Sequence, residues 1–181
     1  MACIKSETAS PERSKHAEAP ALPRLIVDTR EQAPLTFEHL EAEPGTLTTG
    51  DYSIHGLQSR FAVERKSVQD LVGSLTQGRD RFTRELERMR GMDFARLLII
   101  GTPFDLQAHL NRRAVTAASI IGSLEAINAR LVPVVWAATP AKAAQMVERW
   151  ACYYYTGAAK PFCRLSVPDW AREGALPWPG A

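Results

Sequence analysis

The sequence predicts an α/β fold in which a central mixed sheet is flanked by helices, and three observations carry that prediction. Short apolar, β-prone runs alternate along the chain with longer segments of helical periodicity. Two of those runs are separated by a short loop and suggest a hairpin, while the others are joined through helices, so both antiparallel and crossover connections enter one layered fold. At 181 residues, 45% hydrophobic and 23% charged, the chain is long enough to bury one core of ordinary size without staples.

The first strand is Leu25-Ile26-Val27, a β-prone run with polar residues Asp28-Thr29-Arg30-Glu31 at its exit and Pro34 beyond. Asp51 to Ile54 and Phe61 to Lys66 form the hairpin around a loop containing His55-Gly56. From Ser67 the spacing becomes helical, with Val68, Leu71, Val72 and Leu75 on one side and then Phe82, Leu86 and Met89; Gly78 separates two helices or bends one. Leu97-Leu98-Ile99-Ile100 is a fully apolar strand that ends at Gly101-Thr102-Pro103. A helix is predicted from about Ala114 to Arg130, with Ala117, Ile120, Ile121, Leu124, Ile127 and Leu131 on one stripe. Val132 to Trp136 is its partner strand, and Thr139-Pro140 caps a last helix running to about Tyr154.

Residues 1–23 read as a flexible lead-in, 24–156 as the folded domain, and 157–181 as a tail rich in Pro and Trp with no regular element. The lead-in contains no apolar region of a secretory signal and no stretch is suited to crossing a bilayer, so a cytoplasmic setting away from membranes is expected. Cys3, Cys152 and Cys163 lack paired metal-ligand spacing and leave one thiol over in any disulfide scheme, which argues against structural zinc and a disulfide framework. The four histidines are scattered without ligand spacing. A net charge of +2 is too small to announce a nucleic-acid partner.

The chemistry concentrates in the hairpin. Alternation along a strand puts Glu64 and Lys66 on one face and Val63 and Arg65 on the other. If the hairpin closes symmetrically about residues 57 and 58, Asp51 stands opposite Glu64 with Cβ atoms roughly 5 Å apart. Two facing carboxylates repel unless something offsets the charge, and a divalent cation does so naturally; Mg²⁺ is commonly held by one or two carboxylates together with a substrate phosphate. Asp28, at the end of a neighbouring strand, is placed to supply a third oxygen. Spacing alone is equally compatible with the wet face of an amphipathic hairpin.

The longer string is more specific. Gly50-Asp51-Tyr52 followed by Val63-Glu64-Arg65-Lys66-Ser67-Val68-Gln69-Asp70 resembles the GD…ERKxxxD signature of the XPF nuclease family, and Leu25 to Glu31 resembles that family's opening strand. Leu75-Thr76-Gln77-Gly78-Arg79 is similar to the segment that follows the signature, and the resemblance covers roughly Leu25 to Tyr155. It implies a restriction-endonuclease-like fold and hydrolysis of DNA phosphodiesters, commonly at branched or flapped junctions, with Mg²⁺ or Mn²⁺. Carried over by position, it implies metal ligands Asp28, Asp51 and Glu64, and a catalytic set completed by Arg65, Lys66 and Asp70. Asp70 is equally explained as part of a capping box on Ser67.

Arg30 and Arg79 match positions that meet DNA phosphate or pair with an acidic neighbour, and Arg81 shares a helical face with Arg84 and Arg88 that is suited to a phosphate backbone. Interspersed Asp80, Glu85 and Glu87 also fit a solvated mixed-charge face. The family's tandem DNA-binding hairpins and helicase do not fit in 181 residues, so DNA affinity is expected from the domain's own surface, from a homodimer or from a separate DNA-binding or helicase partner. In a bacterial or phage setting the protein would be nucleoid-associated. The competing reading is a catalytically inactive DNA-binding module of the same fold acting as a partner subunit; such modules lose acidic or lysine positions, and all are present here.

Overall fold

The computed structural model describes residues 22–111, 117–159 and 169–172. Six strands form one sheet: β1 (Leu25–Asp28), β2 (Ala42–Gly45), β3 (Tyr52–Ile54), β4 (Phe61–Ser67), β5 (Phe94–Ile100) and β6 (Val134–Ala137), in the order β2-β1-β3-β4-β5-β6. β1–β3 and β3–β4 pair antiparallel; β1–β2, β4–β5 and β5–β6 pair parallel. The sheet is therefore mixed, as predicted. β1, β4, β5 and β6 all point the same way, so their carboxyl ends share one edge.

Two layers cover the sheet. On one face lie α1 (Val68–Thr76), α2 (Arg79–Arg90), α3 (Pro103–Leu110) and α4 (Ala117–Arg130), which bury Leu71, Leu75, Phe82, Leu86, Leu106 and Ile120 against Ala62, Leu97 and Ile99. On the other lie α5 (Pro140–Ala159), α6 (Asp169–Arg172) and the loop after β1, with Val147, Ala151, Leu35 and Leu40 packed on Leu25, Tyr52, Phe61, Val63 and Leu98. Every second residue of β4 serves each core, the period of two that a doubly covered strand requires.

Gly78 separates α1 from α2, one of the two outcomes its position allowed. β5 starts three residues before the predicted apolar run, because Phe94 stacks on Phe61 with ring centroids 4.5 Å apart and extends the pairing with β4. β2 was not predicted. It is an edge strand, Ala-Glu-Pro-Gly, held by backbone pairing to β1 and with little apolar pattern of its own. α3 was not predicted either: Thr102 accepts from the Asp105 amide and Asp105 answers to the Thr102 amide, with Pro103 in the first turn.

Part of the predicted α4 start, Ala114, falls outside the described residues, as do most of the lead-in and most of the tail. Within the tail, Asp169–Arg172 is a short helix where no regular element was expected. On α4 the stripe is narrower than predicted: Ile120, Leu124 and Ile127 are buried but Ile121 is exposed. α4 and α5 pack on opposite faces of the sheet and so form no joint apolar patch.

Candidate active site

The site forms at the shared edge, where β1 and β4 end. Tyr52 pairs with both Val27 and Val63. One residue on, the Asp28 amide donates to the Asp51 carbonyl at 2.8 Å and the Asp51 amide to the Val63 carbonyl at 2.9 Å. Asp28, Asp51 and Glu64 therefore stand in a row across three adjacent strands, on the face that carries α1 to α4. Gly50 makes this possible: its φ is +78°, and a Cβ there would lie 3.2 Å from the Ala62 Cβ and 3.3 Å from the Val63 carbonyl oxygen. The glycine before Asp51 is a steric requirement of bringing that residue against β4.

Asp51 and Glu64 are the pair the hairpin register predicts. Glu64 is 2% exposed; its Oε1 takes the Lys66 ammonium and its Oε2 has no hydrogen-bond partner among the described residues. Asp51 receives the Arg65 amide on Oδ2 at 2.7 Å. Burial pushes both carboxyls up, Asp51 to about 6 and Glu64 to about 8, the latter raised further by Asp51. Burial alone would lower the Lys66 ammonium, but Glu64 and Asp51 outweigh it and its pKa rises. Lys66 also lies 5.5 Å above the Phe82 ring. The arrangement concentrates negative charge in a buried place with one cation beside it.

Asp28 lies in the row, with both carboxylate oxygens hydrogen-bonded. Its Oδ1 accepts from the Arg30 amide at 2.8 Å and Nε at 2.7 Å, and its Oδ2 from Arg30 Nη2 at 3.0 Å and the Leu47 amide at 2.7 Å. The Arg30 side chain foremost holds this carboxyl down to about 2. Four donors occupy the oxygens a cation would need. Among the described residues, no group of three or more Asp, Glu, His or Cys is gathered to hold a metal. Asp51 and Glu64 thus stand as the close carboxylate pair, and Asp28, next in the row, is held by Arg30 and by the loop after β2.

Arg65 reaches the site by its backbone rather than by its side chain. Strand alternation turns its guanidinium to the opposite face, where Nε and Nη2 bind Glu31 at 3.0 and 2.7 Å; the two side chains are 13% and 5% exposed. Burial opposes ionisation of Glu31, but Arg65 and the Ala33 amide overcome it and lower its pKa. Arg65 therefore serves the site through its amide on Asp51. Asp70 is exposed and exchanges hydrogen bonds with Ser67, whose Oγ accepts from the Asp70 amide at 3.1 Å and donates to Oδ2 at 2.7 Å. That is the helix cap that the sequence also suggested. Of the arginines expected at DNA, Arg30 is spent on Asp28 and the Leu47 carbonyl, Arg79 donates to Ser123 at 2.8 Å, and Arg81 is exposed.

Two residues were given no part in the site from the sequence. Glu85 on α2 acts electrostatically on Arg30, Asp51, Glu64 and Lys66. Its signal was its place three after Phe82 and four before Met89, on the flank of the buried stripe. Glu148 on α5 is 1% exposed and accepts from the amides of Glu38, His39 and Leu40 at 3.0, 2.7 and 3.0 Å, pinning the loop whose Leu35 amide donates to the Tyr52 hydroxyl. A lone acid between Val147 and Trp150 in an apolar stripe marked it.

A mixed sheet in this order, with an acid pair and a lysine at the carboxyl edge of its strands, defines a restriction-endonuclease-like domain. A family model described as the ERCC4 domain matches residues 27–149, and the chain belongs to that family, the XPF-type nuclease domains. It is similar to the DNA repair endonuclease XPF of Drosophila melanogaster, 32% identical over 140 residues, and to that of Cricetulus griseus, 44% identical over 62. These matches cover 70% and 32% of this chain but only 14% and 6% of the relatives. XPF from Aeropyrum pernix has the same fold, with a TM-score of 0.61 at 23% identity over 73% of this chain and 61% of that one. The same protein in complex with DNA gives 0.55 at 20% identity, over 75% and 66%. No helix among the described residues is long and apolar enough to cross a membrane.

Proposed function

We propose that the protein is a divalent-metal-dependent DNA endonuclease acting on branched, flapped or otherwise structured DNA. The observation that carries this is Asp51 and Glu64 facing each other on one side of β3 and β4 with Lys66 beside them. The names of the curated relatives, DNA repair endonucleases, support the substrate class and suggest a repair setting.

The residues fit a hard cation such as Mg²⁺ or Mn²⁺. Glu64 Oε2 is buried without a partner, only Oδ2 of Asp51 takes a hydrogen bond among the described residues, and both carboxyls are pushed up by burial as groups short of positive charge are. Bound there, the ion would polarise a phosphoryl oxygen and lower the pKa of a water. Lys66 stays charged and is placed to stabilise negative charge gathering on the phosphate. Arg65 fixes Asp51 through its amide, and Asp28 with Arg30 ties the end of β1 to the loop at Leu47. A separate DNA-binding or helicase partner, or a second copy of the chain, would supply junction recognition.

The experiment is a panel of labelled duplex, single-stranded, flap and fork DNAs incubated with and without Mg²⁺ or Mn²⁺. Cleavage should require metal and vanish in Asp51→Asn and Glu64→Gln while both variants stay folded. Wild-type cleavage rates in either variant at saturating DNA would remove the site, and a wild-type protein that binds these DNAs without cutting any would instead indicate an inactive binding module.

A further inference from the structure

The geometry points to the outer face of α2 as the track for the DNA backbone leading into the site, with Arg81, Arg84 and Arg88 as its phosphate contacts. This rests on the DNA reading above and adds the path that the strand takes. α2 is anchored by Phe82, Leu86 and Met89, and the Phe82 ring lies under Lys66. Glu85, on the flank of that stripe, reaches the site electrostatically.

Going round the helix at about 100° per residue, Glu85 is followed by Arg81, Arg88 and Arg84, and only then by Asp80 and Glu87. The charges that look mixed in the sequence are thus sorted: a band of three cations borders the site, and the two remaining acids lie beyond it. All three arginines are exposed, and none makes an ion pair within 4.0 Å among the described residues. Arg30 and Arg79, by contrast, are engaged by Asp28 and Ser123. From Arg81 to Arg88 the band runs about 10 Å, which spans roughly three phosphates at about 3.4 Å of rise per strand. A row of unpaired guanidinium groups beside the proposed reacting phosphate is complementary to a polyanion that must pass over it.

The test is the salt dependence of binding, measured by fluorescence anisotropy in EDTA on a fluorescein-labelled duplex bearing a single-stranded flap. Arg81→Gln/Arg84→Gln/Arg88→Gln should weaken binding at least about tenfold and make the log–log salt slope shallower by about 2.7, some 0.9 for each lost contact. The control Arg24→Gln/Arg60→Gln/Arg130→Gln removes equal charge from the opposite edge of the sheet and should change affinity much less. Equal losses in the two triple variants would reduce the band to general charge and overturn the proposal. So would an unchanged slope in the α2 variant, or wild-type protein that fails to bind in EDTA, since a phosphate track needs no metal. Failure of the nuclease reading looks different: there the wild type cuts no DNA with metal while binding still depends on the three arginines.

Discussion

Glu31 grips the guanidinium of Arg65 by two hydrogen bonds, 2.7 and 3.0 Å long, on the side of the sheet away from Glu64 and Lys66. The same Arg65 presents its amide to Asp51, so a buried ion pair on one face steadies a carboxylate on the other. Glu31→Gln leaves a buried arginine without its counter-ion and should cost about 3 kcal/mol in urea unfolding. Glu31→Leu/Arg65→Met should recover most of that loss, because both charges leave together. A double variant as unstable as the single one would show that the pair is not what the site leans on.

The metal-free protein should lose stability as pH rises. Glu64 and Asp51 are raised by burial to about 8 and about 6, above the ordinary values of 4.5 and 3.8. The folded state therefore binds more protons than the unfolded state between those limits, and stability present at pH 4 declines through that window until about pH 8. In EDTA, Asp51→Asn should flatten the decline and be more stable than wild type at pH 8 by on the order of 1 kcal/mol. Mg²⁺ should restore wild type and leave Asp51→Asn unmoved. A thermal melt series over pH, in EDTA and in Mg²⁺, reads both effects; identical pH profiles for the two proteins would show that the carboxylates are not coupled.

The register that puts Asp51 opposite Glu64 was legible because alternation and hairpin symmetry are local properties of residues 51 to 66. What stayed hidden depended on partners distant in sequence. The contacts of Asp28 with Arg30 and Leu47 could not be read from the sequence. Neither could the pairing of Arg65 with Glu31. β2 is paired through backbone that carries no apolar signal, and the cap of α3 at Thr102 and Asp105 was present in the sequence but Gly101-Thr102-Pro103 was read only as the end of β5.

Glu148 links the α5 face of the sheet to the loop after β1. Its Oε1 gathers three amides, Glu38, His39 and Leu40, at 2.7 to 3.0 Å. Glu148→Ala should destabilise by about 3 kcal/mol, since buried donors lose a charged acceptor; Glu148→Gln, which retains an acceptor, should lose much less. Hydrogen exchange at residues 38–40 should accelerate in the alanine variant ahead of the β4 and β5 amides. Uniform acceleration across the sheet would mean that the carboxylate supports the whole fold rather than this loop.

Lys66 separates transition-state stabilisation from ligand holding. It sits between the Glu64 carboxylate and the Phe82 ring, and Glu64 and Asp51 keep it charged. If its role is to meet charge that develops on the phosphate, Lys66→Ala should slow single-turnover cleavage at saturating DNA by about 10²-fold or more. DNA affinity should change little if, as proposed above, the exposed arginines of α2 rather than this buried ammonium carry phosphate binding in the ground state. Removing a cation beside Glu64 also leaves the acid pair more negative, so calorimetric Mn²⁺ affinity should hold or rise while the rate falls. Lys66→Arg keeps the charge but replaces a compact ammonium by a planar fork that must fit beneath DNA and over Phe82, and should recover only part of the rate. A Lys66→Ala enzyme that regains full speed once DNA is saturating would make the lysine a phosphate anchor, and one that loses Mn²⁺ along with activity would make it a support for the metal site.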